Sequence, residues 1–273
     1  MNETIWRLVI TPPAAGAWNM AVDEAIAAYA SRGETLPTLR FYQWQPACVS
    51  LGRHQPLADL DLSRCVALGY DVVRRPTGGR AILHTDELTY SVAGPQDDPT
   101  LAGAILDSYL RLSQGLLAGL ARLGVAAEKA PLASRAGTGE AGPVCFEVPS
   151  AYEIVVKGKK LIGSAQSRRQ GWVLQHGTLP LVGDVTRLVE VVRFSDDAER
   201  AAQRRVLDER ALTVQSALGR VVTFEEATAA LIAGFSAALG IRLEQADLTA
   251  GELALTAELQ QSVYGSETWT ARL

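Results

Sequence analysis

The sequence predicts an α+β fold, because strand patterns and helix patterns follow each other along the chain without a regular alternation. Strand patterns dominate from Tyr152 to Leu181, with turns near Gly158 and Gly171, and the residues after them are mostly helical. The phosphate-binding pattern GxxxxGK(S/T) does not occur in the chain. Together these observations argue against a doubly wound parallel sheet.

Local patterns place the elements of the N-terminal half. Apolar positions in residues 18–33, WNMAVDEAIAAYASRG, recur at helical spacing, and Gly33 follows the end of this helix. Two short strands, 38–44 and 47–52, flank a turn at Gln45-Pro46. A short helix then ends at Gly69, and the segments YDVVRR, AILH and LTYSVAG are typical of strands.

Two longer helices and a loop are predicted further along the chain. Apolar residues keep helical spacing from Leu101 to Leu123. Residues 223–240 open with a capping-box pattern, Thr223 with Glu226, and end at Gly240. The segment Ser134–Gly142 is rich in glycine and is predicted to be a mobile loop.

The composition is that of an ordinary globular protein, with 48% hydrophobic and 21% charged residues among 273. A net charge of −4 argues against a general nucleic-acid binder. No apolar run is long enough to span a membrane, and the first residues lack the basic start and apolar core of a signal peptide. We therefore expect a cytoplasmic protein that binds neither nucleic acid nor membrane.

Charge is unevenly distributed along this acidic chain. The stretch from Ile154 to Gly183 contains no Asp or Glu, and its basic residues are Lys157, Lys159, Lys160, Arg168 and Arg169. A second basic group consists of Arg74, Arg75 and Arg80. These groups indicate either a site for an acidic partner or anionic ligand, or simply solvated strand faces.

Three segments carry candidate binding residues. In RRPTGGRAILH, Gly78 and Gly79 allow a ligand to approach the backbone, although a simple strand-to-strand turn also needs glycine. In KGKKLIGSAQ, Lys160 could hold a carbonyl oxygen or pass a proton, although a hairpin lysine is also commonly a surface residue. In LQHGTLPL, His176 is either a ligand-binding or a structural hydrogen-bonding residue, and Gly177 could offer its backbone N–H.

The chain has three cysteines and no CxxC pair, so we predict neither disulfides nor a metal site. Cys48 lies in an apolar strand and Cys65 on a short helix, which favours two small core side chains. Cys145 differs, because it follows a glycine-rich loop and precedes a cationic stretch that would favour a thiolate. From the residues alone, Cys145 is equally well a core side chain or a nucleophile.

Six segments in a fixed order together resemble one known family. They are NMAVDEA, LRFYQWQPACVSLGRHQ, RRPTGGRAILH, ELTYSV, CFEVPSAYEIVVKGKKLIGSAQSRRQG and LQHGTLPL. The set is similar to the lipoate branch of the biotin/lipoate protein ligase superfamily. Arg80 stands where the ligases typically carry a third glycine, and with Cys145 this resembles the cysteine-dependent octanoyltransferases. Thr85 departs from the family pattern, which more often has an acid after the histidine.

The resemblance implies a mixed, mainly antiparallel sheet packed with helices. It also implies one acyltransferase catalytic domain over residues 1–273, with a C-terminal helical part, about 184–273, packed on it. Cys145 and Lys160 are the implied catalytic residues. The implied substrate-binding residues are Arg75, Gly78, Gly79, Arg80, His84, Gly163, Ser164, Ala165, Gln166, His176 and Gly177.

The implied activity moves an octanoyl group from acyl carrier protein to a lysine of a lipoyl-accepting protein, through a thioester on Cys145. The acceptor would be a glycine cleavage system H protein or a dehydrogenase lipoyl domain. No cofactor is needed, since octanoyl-phosphopantetheine arrives on the carrier, and we expect a monomer. The alternatives are an ATP-dependent lipoate-protein ligase, an octanoyl amidotransferase between lipoyl-accepting proteins, and a non-catalytic scaffold that binds lipoyl domains.

Overall fold

The computed structural model describes residues 4–130 and 153–272, and it confirms the predicted α+β class. Eight strands form the large sheet in the order β11-β1-β2-β6-β10-β9-β8-β7, and three form a small sheet in the order β4-β3-β5. Their bounds are β1 Thr4–Ile10, β2 Thr38–Tyr42, β3 Cys48–Leu51, β4 Asp71–Arg74, β5 Ile82–His84, β6 Glu87–Pro95, β7 Glu128–Lys129, β8 Ile154–Val156, β9 Lys159–Arg169, β10 Trp172–Pro180 and β11 Ile241–Gln245.

Described α-helices lie on both faces of the large sheet, and two short ones lie against the small sheet. Their bounds are α1 Gly16–Ser31, α2 Leu62–Ala67, α3 Ile105–Arg122, α4 Asp197–Arg210, α5 Val214–Leu218, α6 Phe224–Leu239, α7 Ala250–Leu259 and α8 Glu267–Thr270. Short 3₁₀ turns lie at Leu57–Asp59 and Arg187–Glu190, and a π-helical turn follows α7 at Gln260–Tyr264. No helix within the described ranges is long and apolar enough to cross a membrane.

The central strands are antiparallel, as the resemblance implies. β6 pairs with β2 and β10, and β10 pairs with β9, all in antiparallel register. β1 runs parallel to β2 and to β11, so the sheet is mixed. On β10, Val173 joins the core under α3 and α6, whereas Trp172 and Leu174 join the core under α1, as the strand's alternation requires.

One predicted helix start is wrong, and one strand was not predicted. The helix predicted to start at Leu101 starts at Ile105, because 98–102 form a turn and Gly103 has a φ of +89°. Leu101 is nevertheless fully buried, which explains why it fitted the apolar spacing. β11 was not predicted, since it is a largely exposed edge strand without a clear apolar alternation.

A buried ion pair ties the C-terminal helices to the sheet. Arg7 on β1 binds the carboxylate of Glu252 on α7, with an Nη1–Oε2 distance of 2.8 Å. Glu252 also accepts a bond from the backbone N–H of Thr249, which completes a capping box at the start of α7. The contact ties α7 to β1 of the large sheet, and the division into one domain with a C-terminal part at about 184–273 stays a prediction.

Glycines allow α3 and α6 to pack closely. A Cβ added at Gly234 on α6 would lie 2.2 Å from the backbone N of Gly119 on α3, and no side-chain movement can relieve that clash. We expect Gly234→Ala to lower the free energy of unfolding by about 3 kcal/mol, the upper end for overpacked cores. Urea denaturation measures it, with Ala237→Gly on the exposed side of α6 as control, at about 1 kcal/mol. Equal losses of the free energy of unfolding in Gly234→Ala and Ala237→Gly would show that the close approach of α3 and α6 does not limit residue size at Gly234.

Candidate active site

A cavity of about 200 Å³ crosses four neighbouring strands of the large sheet. Gly163, Ser164 and Ala165 of β9 line it beside their partners His176, Gly177 and Thr178 of β10, and the lining continues through Thr89 of β6 to Tyr42 of β2. The small residues on β9 and β10 leave space above the sheet. A Cβ at Gly177 would lie 2.5 Å from Ser164 Oγ, which shows how tightly these strands are packed.

The β2 side of the cavity is apolar and aromatic. Met20 from α1, Tyr42 and Trp44 form this wall, and Ile82 contributes from β5. Trp44 is fixed in place because its Nε1–H donates to Thr89 Oγ1 at 2.8 Å and its ring stacks on His84 with centroids 4.0 Å apart. This wall can hold an aliphatic chain, at about 0.8 kcal/mol per buried CH₂.

The glycine loop forms the rim of the cavity. Gly79 has a φ of +93°, a conformation that favours glycine, and it lines the cavity together with Arg80. The loop is in close contact with Gly52, where an added Cβ would lie 1.8 Å from the Gly79 carbonyl oxygen. The backbone N–H of Arg53 donates to Thr77 O at 2.8 Å. The loop is therefore positioned by main-chain contacts and is more than a free turn.

Two of the predicted basic residues have a structural role. Arg74 is fully buried and donates to Gly52 O, Gln55 O and Thr270 O. Arg75 is 3% exposed, lines the cavity and donates to the carbonyls of Ser50, Gly78 and Arg80. The expectation that they form a surface for an acidic partner is therefore wrong, because their guanidinium groups hold backbone carbonyls inside the protein.

Lys160 is also buried, so the interpretation as a surface lysine is wrong. Its side chain is 1% exposed, and Nζ lies 2.5 Å from Oε1 of Glu153, which lines the cavity. The β8–β9 hairpin brings the two residues together, and Leu212 N–H donates to Lys160 O at 3.1 Å. Gly163 leaves room for the lysine, since an added Cβ would lie 2.9 Å from its Cε.

His84 meets an acid, although a different one from the family pattern. Its Nδ1 lies 2.7 Å from Oε1 of Glu87, and its Nε2 lies 2.8 Å from Ser50 Oγ. Burial alone would raise the pKa of Glu87, but the charge and hydrogen bond of His84 outweigh it and lower this pKa. Asp86 is exposed and pairs with Arg187 instead. The family more often has an acid directly after this histidine, where the present chain has Thr85. Here Glu87 supplies the acid that contacts His84.

His176 joins α1 to the glycine loop. Its Nδ1 lies 3.4 Å from Oδ2 of Asp23, and its Nε2 lies 2.6 Å from Thr77 Oγ1. Because an ionised carboxylate can only accept, Nδ1 carries the proton and Nε2 accepts from the Thr77 hydroxyl. Burial lowers the pKa of His176 even though Asp23 acts in the opposite direction. The imidazole therefore stays neutral and, among the described residues, is committed to these two partners.

The lowered pKa of His176 predicts a pH-dependent stability. Its folded pKa lies below 6.5, so the unfolded chain binds the proton first, and stability falls as pH drops below about 6.5. We expect a slope of at most about 1.4 kcal/mol per pH unit between pH 6.5 and 5.5, which His176→Gln should remove. Urea denaturation across this range measures it.

The matched control for this slope is His54→Gln, which removes an exposed imidazole instead of a buried one. The carboxyls of Asp23 and Glu87, whose pKa values are lowered from 3.8 and 4.5, affect stability only at more acidic pH. An unchanged slope in His176→Gln, or a slope lost in His54→Gln, would contradict the assignment.

Some predicted residues lie elsewhere. Among the described residues, Gly78, Gln166 and Lys160 do not line the cavity, and Gln166 forms hydrogen bonds with Gln175 and Ser108. Cys48 and Cys65 are buried, and burial raises the pKa of Cys48 well above its usual value and that of Cys65 to about 11. Both are core side chains, as predicted. Cys145 and the loop Ser134–Gly142 lie outside the described residues.

Sequence reasoning missed several cavity residues. They are Met20, Tyr42, Trp44, Ser50, Ile82, Thr89, Glu153 and Thr178. Most of them lie in apolar helix or strand patterns, which predict core positions and do not reveal a cavity. Glu153 had a signal, since it is the last acid before the long stretch without Asp or Glu.

Comparison with known proteins identifies the family. The sequence matches the lipoyl protein ligase A/B catalytic domain over residues 15–236. The chain belongs to this family of acyl-attaching enzymes. It is 44% identical to Octanoyltransferase LipM of Kyrpidia tusciae over 271 residues, covering 98% of each chain, and 36% identical to Octanoyltransferase LipM of Staphylococcus aureus over 277 residues.

Solved structures show the same fold. A bipartite lipoate protein ligase from Thermoplasma acidophilum, studied with its E2 lipoyl domain, superposes with a TM-score of 0.81 at 27% identity, covering 98% of this chain and 96% of that one. A putative lipoate protein ligase of T. acidophilum with bound lipoic acid has a TM-score of 0.79 at 28% identity, covering 100% of both chains. The predicted lipoate ligase-like architecture is confirmed.

Proposed function

We propose that this protein is an octanoyltransferase of protein lipoylation that takes octanoyl from acyl carrier protein and attaches it to a lysine of a lipoyl-accepting protein. The observation that carries the proposal is the 44% identity, over 98% of both chains, to a protein named Octanoyltransferase LipM. The cavity is consistent with it, since its lining combines an apolar aromatic wall with Glu153, whose carboxylate is paired with the buried Lys160.

The proposed chemistry has two balanced steps. The thiolate of Cys145 attacks the carbonyl carbon of the octanoyl thioester, a new C–S bond forms, and phosphopantetheine leaves as its thiolate. The acceptor amine then attacks the acyl-enzyme, the C–N bond forms, and the C–S bond breaks. The proton of the attacking nitrogen passes to the departing Cys145 thiolate. Because a thioester is converted to an amide, neither ATP nor another cofactor is required.

The cavity supplies the other proposed roles. The octanoyl tail lies against the wall of Met20, Tyr42 and Trp44, which excludes water from its methylenes. Backbone N–H groups of the glycine loop at Gly79, and the Lys160 side chain, stabilise the oxyanion of each tetrahedral intermediate. A carrier protein brings the donor and a lipoyl domain brings the acceptor lysine. The monomeric state and the cytoplasmic location stay predictions.

A single experiment tests the proposal. The native protein and Cys145→Ser are each mixed with octanoyl-loaded acyl carrier protein, without ATP, and their intact masses are recorded. We expect an octanoyl adduct on the native chain only, and its transfer to an added lipoyl domain. A lipoyl domain that accepts octanoyl only from another octanoylated domain would indicate an amidotransferase instead.

A lipoate ligase is the second candidate, because one solved structure with this fold is a lipoate-protein ligase A bound with ATP, at a TM-score of 0.79. In that case neither form of the protein gains mass from the loaded carrier, and a lipoyl domain is modified only when free lipoate and ATP are supplied. Cys145→Ser would then retain full activity.

A further inference from the structure

The buried pair of Lys160 and Glu153 decides between two roles that the sequence leaves open for the lysine. A buried lysine paired with Glu153, which lines the cavity, could act as a neutral base that takes a proton, or as an ammonium that donates hydrogen bonds to an oxyanion. The two roles require opposite protonation states, so the surroundings of Nζ distinguish them.

Burial by itself favours the neutral amine, because an unpaired ammonium is costly in a low-dielectric site. Lys160 is 1% exposed and Glu153 is 5% exposed. Their separation of 2.5 Å places the carboxylate oxygen in direct contact with Nζ, and such a contact favours the charged form. A neighbouring carboxylate thus offsets the cost that burial imposes on the charge.

From this geometry we infer that Glu153 is a positioning residue that keeps Lys160 as an ammonium, so that the lysine serves the reaction as a charged hydrogen-bond donor and not as a base. An ammonium has three N–H donors, and donation from one of them to the carbonyl oxygen of the octanoyl group is the role that we assign to Lys160. The inference rests on the proposed octanoyl transfer and assigns a role within that same site.

The backbone around the pair is well fixed, which makes Glu153 suited to this role. The N–H of Ala130 donates to Glu153 O at 2.7 Å, and the Lys160 carbonyl accepts from Leu212 N–H at 3.1 Å. The absence of a side chain at Gly163 leaves room for the lysine side chain, since an added Cβ would lie 3.2 Å from Nζ. The pair is therefore held from both strands of its hairpin.

Within the described ranges, other charged and titratable groups line the cavity or lie on the adjoining helix, and their titrations must be separated from that of the pair. Those that line the cavity from the other packed elements are Tyr42, Arg75, Arg80, His84 and His176, and those of the adjoining end of α4, all exposed, are Asp208, Glu209 and Arg210. None of them changes when Glu153 alone is replaced by Gln. Comparing the variant with the native enzyme at each pH therefore cancels their titrations, together with those of the attacking thiol and amine.

The test is the ratio of kcat for Glu153→Gln to kcat for the native enzyme, measured from pH 6 to pH 9 with octanoyl-loaded acyl carrier protein and a lipoyl domain. Without the carboxylate, the buried lysine loses its proton as pH rises. We expect the ratio to fall, by up to about tenfold per pH unit, because each lost proton removes the donor. Glu153→Asp keeps the carboxylate and should give a ratio that does not vary with pH.

Two other outcomes would overturn the inference. A ratio that is low but constant with pH would make Glu153 a structural residue only. A ratio that rises with pH would make Lys160 a base, since the lost carboxylate would then increase the fraction of active neutral amine. A kcat ratio that falls with pH in Glu153→Asp would also contradict the inference. If Glu153→Gln does not fold, the measurement on Glu153→Asp provides the test.

The matched control is Glu252→Gln, which removes the carboxylate of another buried ion pair, with Arg7, far along the chain from the cavity residues. It should lower stability and leave the kcat ratio constant with pH. A measurement without turnover is ¹⁵N NMR of the Lys160 side chain, assigned by its loss in Lys160→Arg. An ammonium signal that persists to pH 9 in the native protein supports the inference, and a neutral amine there overturns it.

The failure of this inference and that of the proposed function are distinguishable. If the native protein transfers no octanoyl group from the carrier, the proposed function fails, and the NMR measurement still reports the protonation state of Lys160. If the native protein transfers octanoyl and the ratio does not fall with pH, only the role assigned to Glu153 fails.

Discussion

Asp23→Ala is expected to lower the free energy of unfolding by about 3–5 kcal/mol, the cost of leaving a buried charge without its partner. Asp23 is fully buried and its Oδ1 lies 2.7 Å from Arg40 Nη1, while both side chains are completely inaccessible to solvent. Tyr42 and Ser91 also donate to its carboxylate, at 2.9 and 2.7 Å. The substitution leaves the Arg40 guanidinium without its carboxylate.

The same carboxylate orients His176, so the substitution should also affect the site. Burial alone would raise the pKa of Asp23, but the charge of Arg40 and the bonds from His176 and Ser91 outweigh it and lower this pKa. The carboxylate is thus ionised at neutral pH and holds the proton of His176 on Nδ1. Without it the hydrogen bond from Thr77 loses its fixed acceptor, and we expect the transfer rate to fall with stability.

Urea denaturation measures the loss, and Glu34→Ala is the control. Glu34 pairs with Arg32 at the surface, where both side chains are 50% exposed, so its removal should cost about 0–1 kcal/mol. A loss of less than about 1 kcal/mol in Asp23→Ala would mean that Arg40 finds another partner in the folded protein.

Gly52→Ala should reduce kcat/KM for octanoyl transfer by about 100-fold. Its Cβ would lie 1.8 Å from the carbonyl oxygen of Gly79, so the glycine loop must move. The contact is with backbone, and rotation of a side chain cannot relieve it. A displacement of about 1 Å at the reacting groups is enough for a loss of this size.

Steady-state kinetics with loaded carrier protein measure this effect, and Gly33→Ala is its control. Gly33 has a φ of +71° and nothing within 4 Å of an added Cβ, so the substitution strains the backbone at the surface and does not reach the cavity. It should cost about 1–2 kcal/mol of stability while kcat/KM is unchanged. Native-like kcat/KM in Gly52→Ala would show that transfer does not depend on the position of the loop.

Local patterns in the sequence were sufficient for most helices and central strands. The helix that ends at Gly240 was predicted because a glycine with positive φ, here +63°, closes it, and that preference is a property of one residue. The capping box was only half right, since Thr223 accepts from Glu226 N–H but the Glu226 side chain binds Arg220. β11 was missed because its stability depends on pairing with β1, more than 230 residues away.

The site was partly predictable, because some of its residues are required by local backbone geometry. Close contacts or a positive φ require glycine at Gly79, Gly163 and Gly177, and a required glycine can be recognised in the sequence. Met20 and Trp44 could not be recognised in this way. An apolar residue in a helix or strand pattern predicts burial, but the pattern does not show whether the side chain faces the core or a cavity. Their place in the wall follows from tertiary packing, which brings Met20, Tyr42 and Trp44 into one cluster.

The class of the fold, the order of its main elements and, through six ordered segments, the family could all be predicted from the amino-acid sequence. Those properties follow from local preferences and from residue identity. Tertiary packing was needed to show that Arg74 and Arg75 are buried and bind backbone carbonyls, that Glu87 meets His84, and that Lys160 is paired with Glu153. The reason is physical: the charge and role of a side chain depend on its burial and its partners, and both are set by residues distant in the chain.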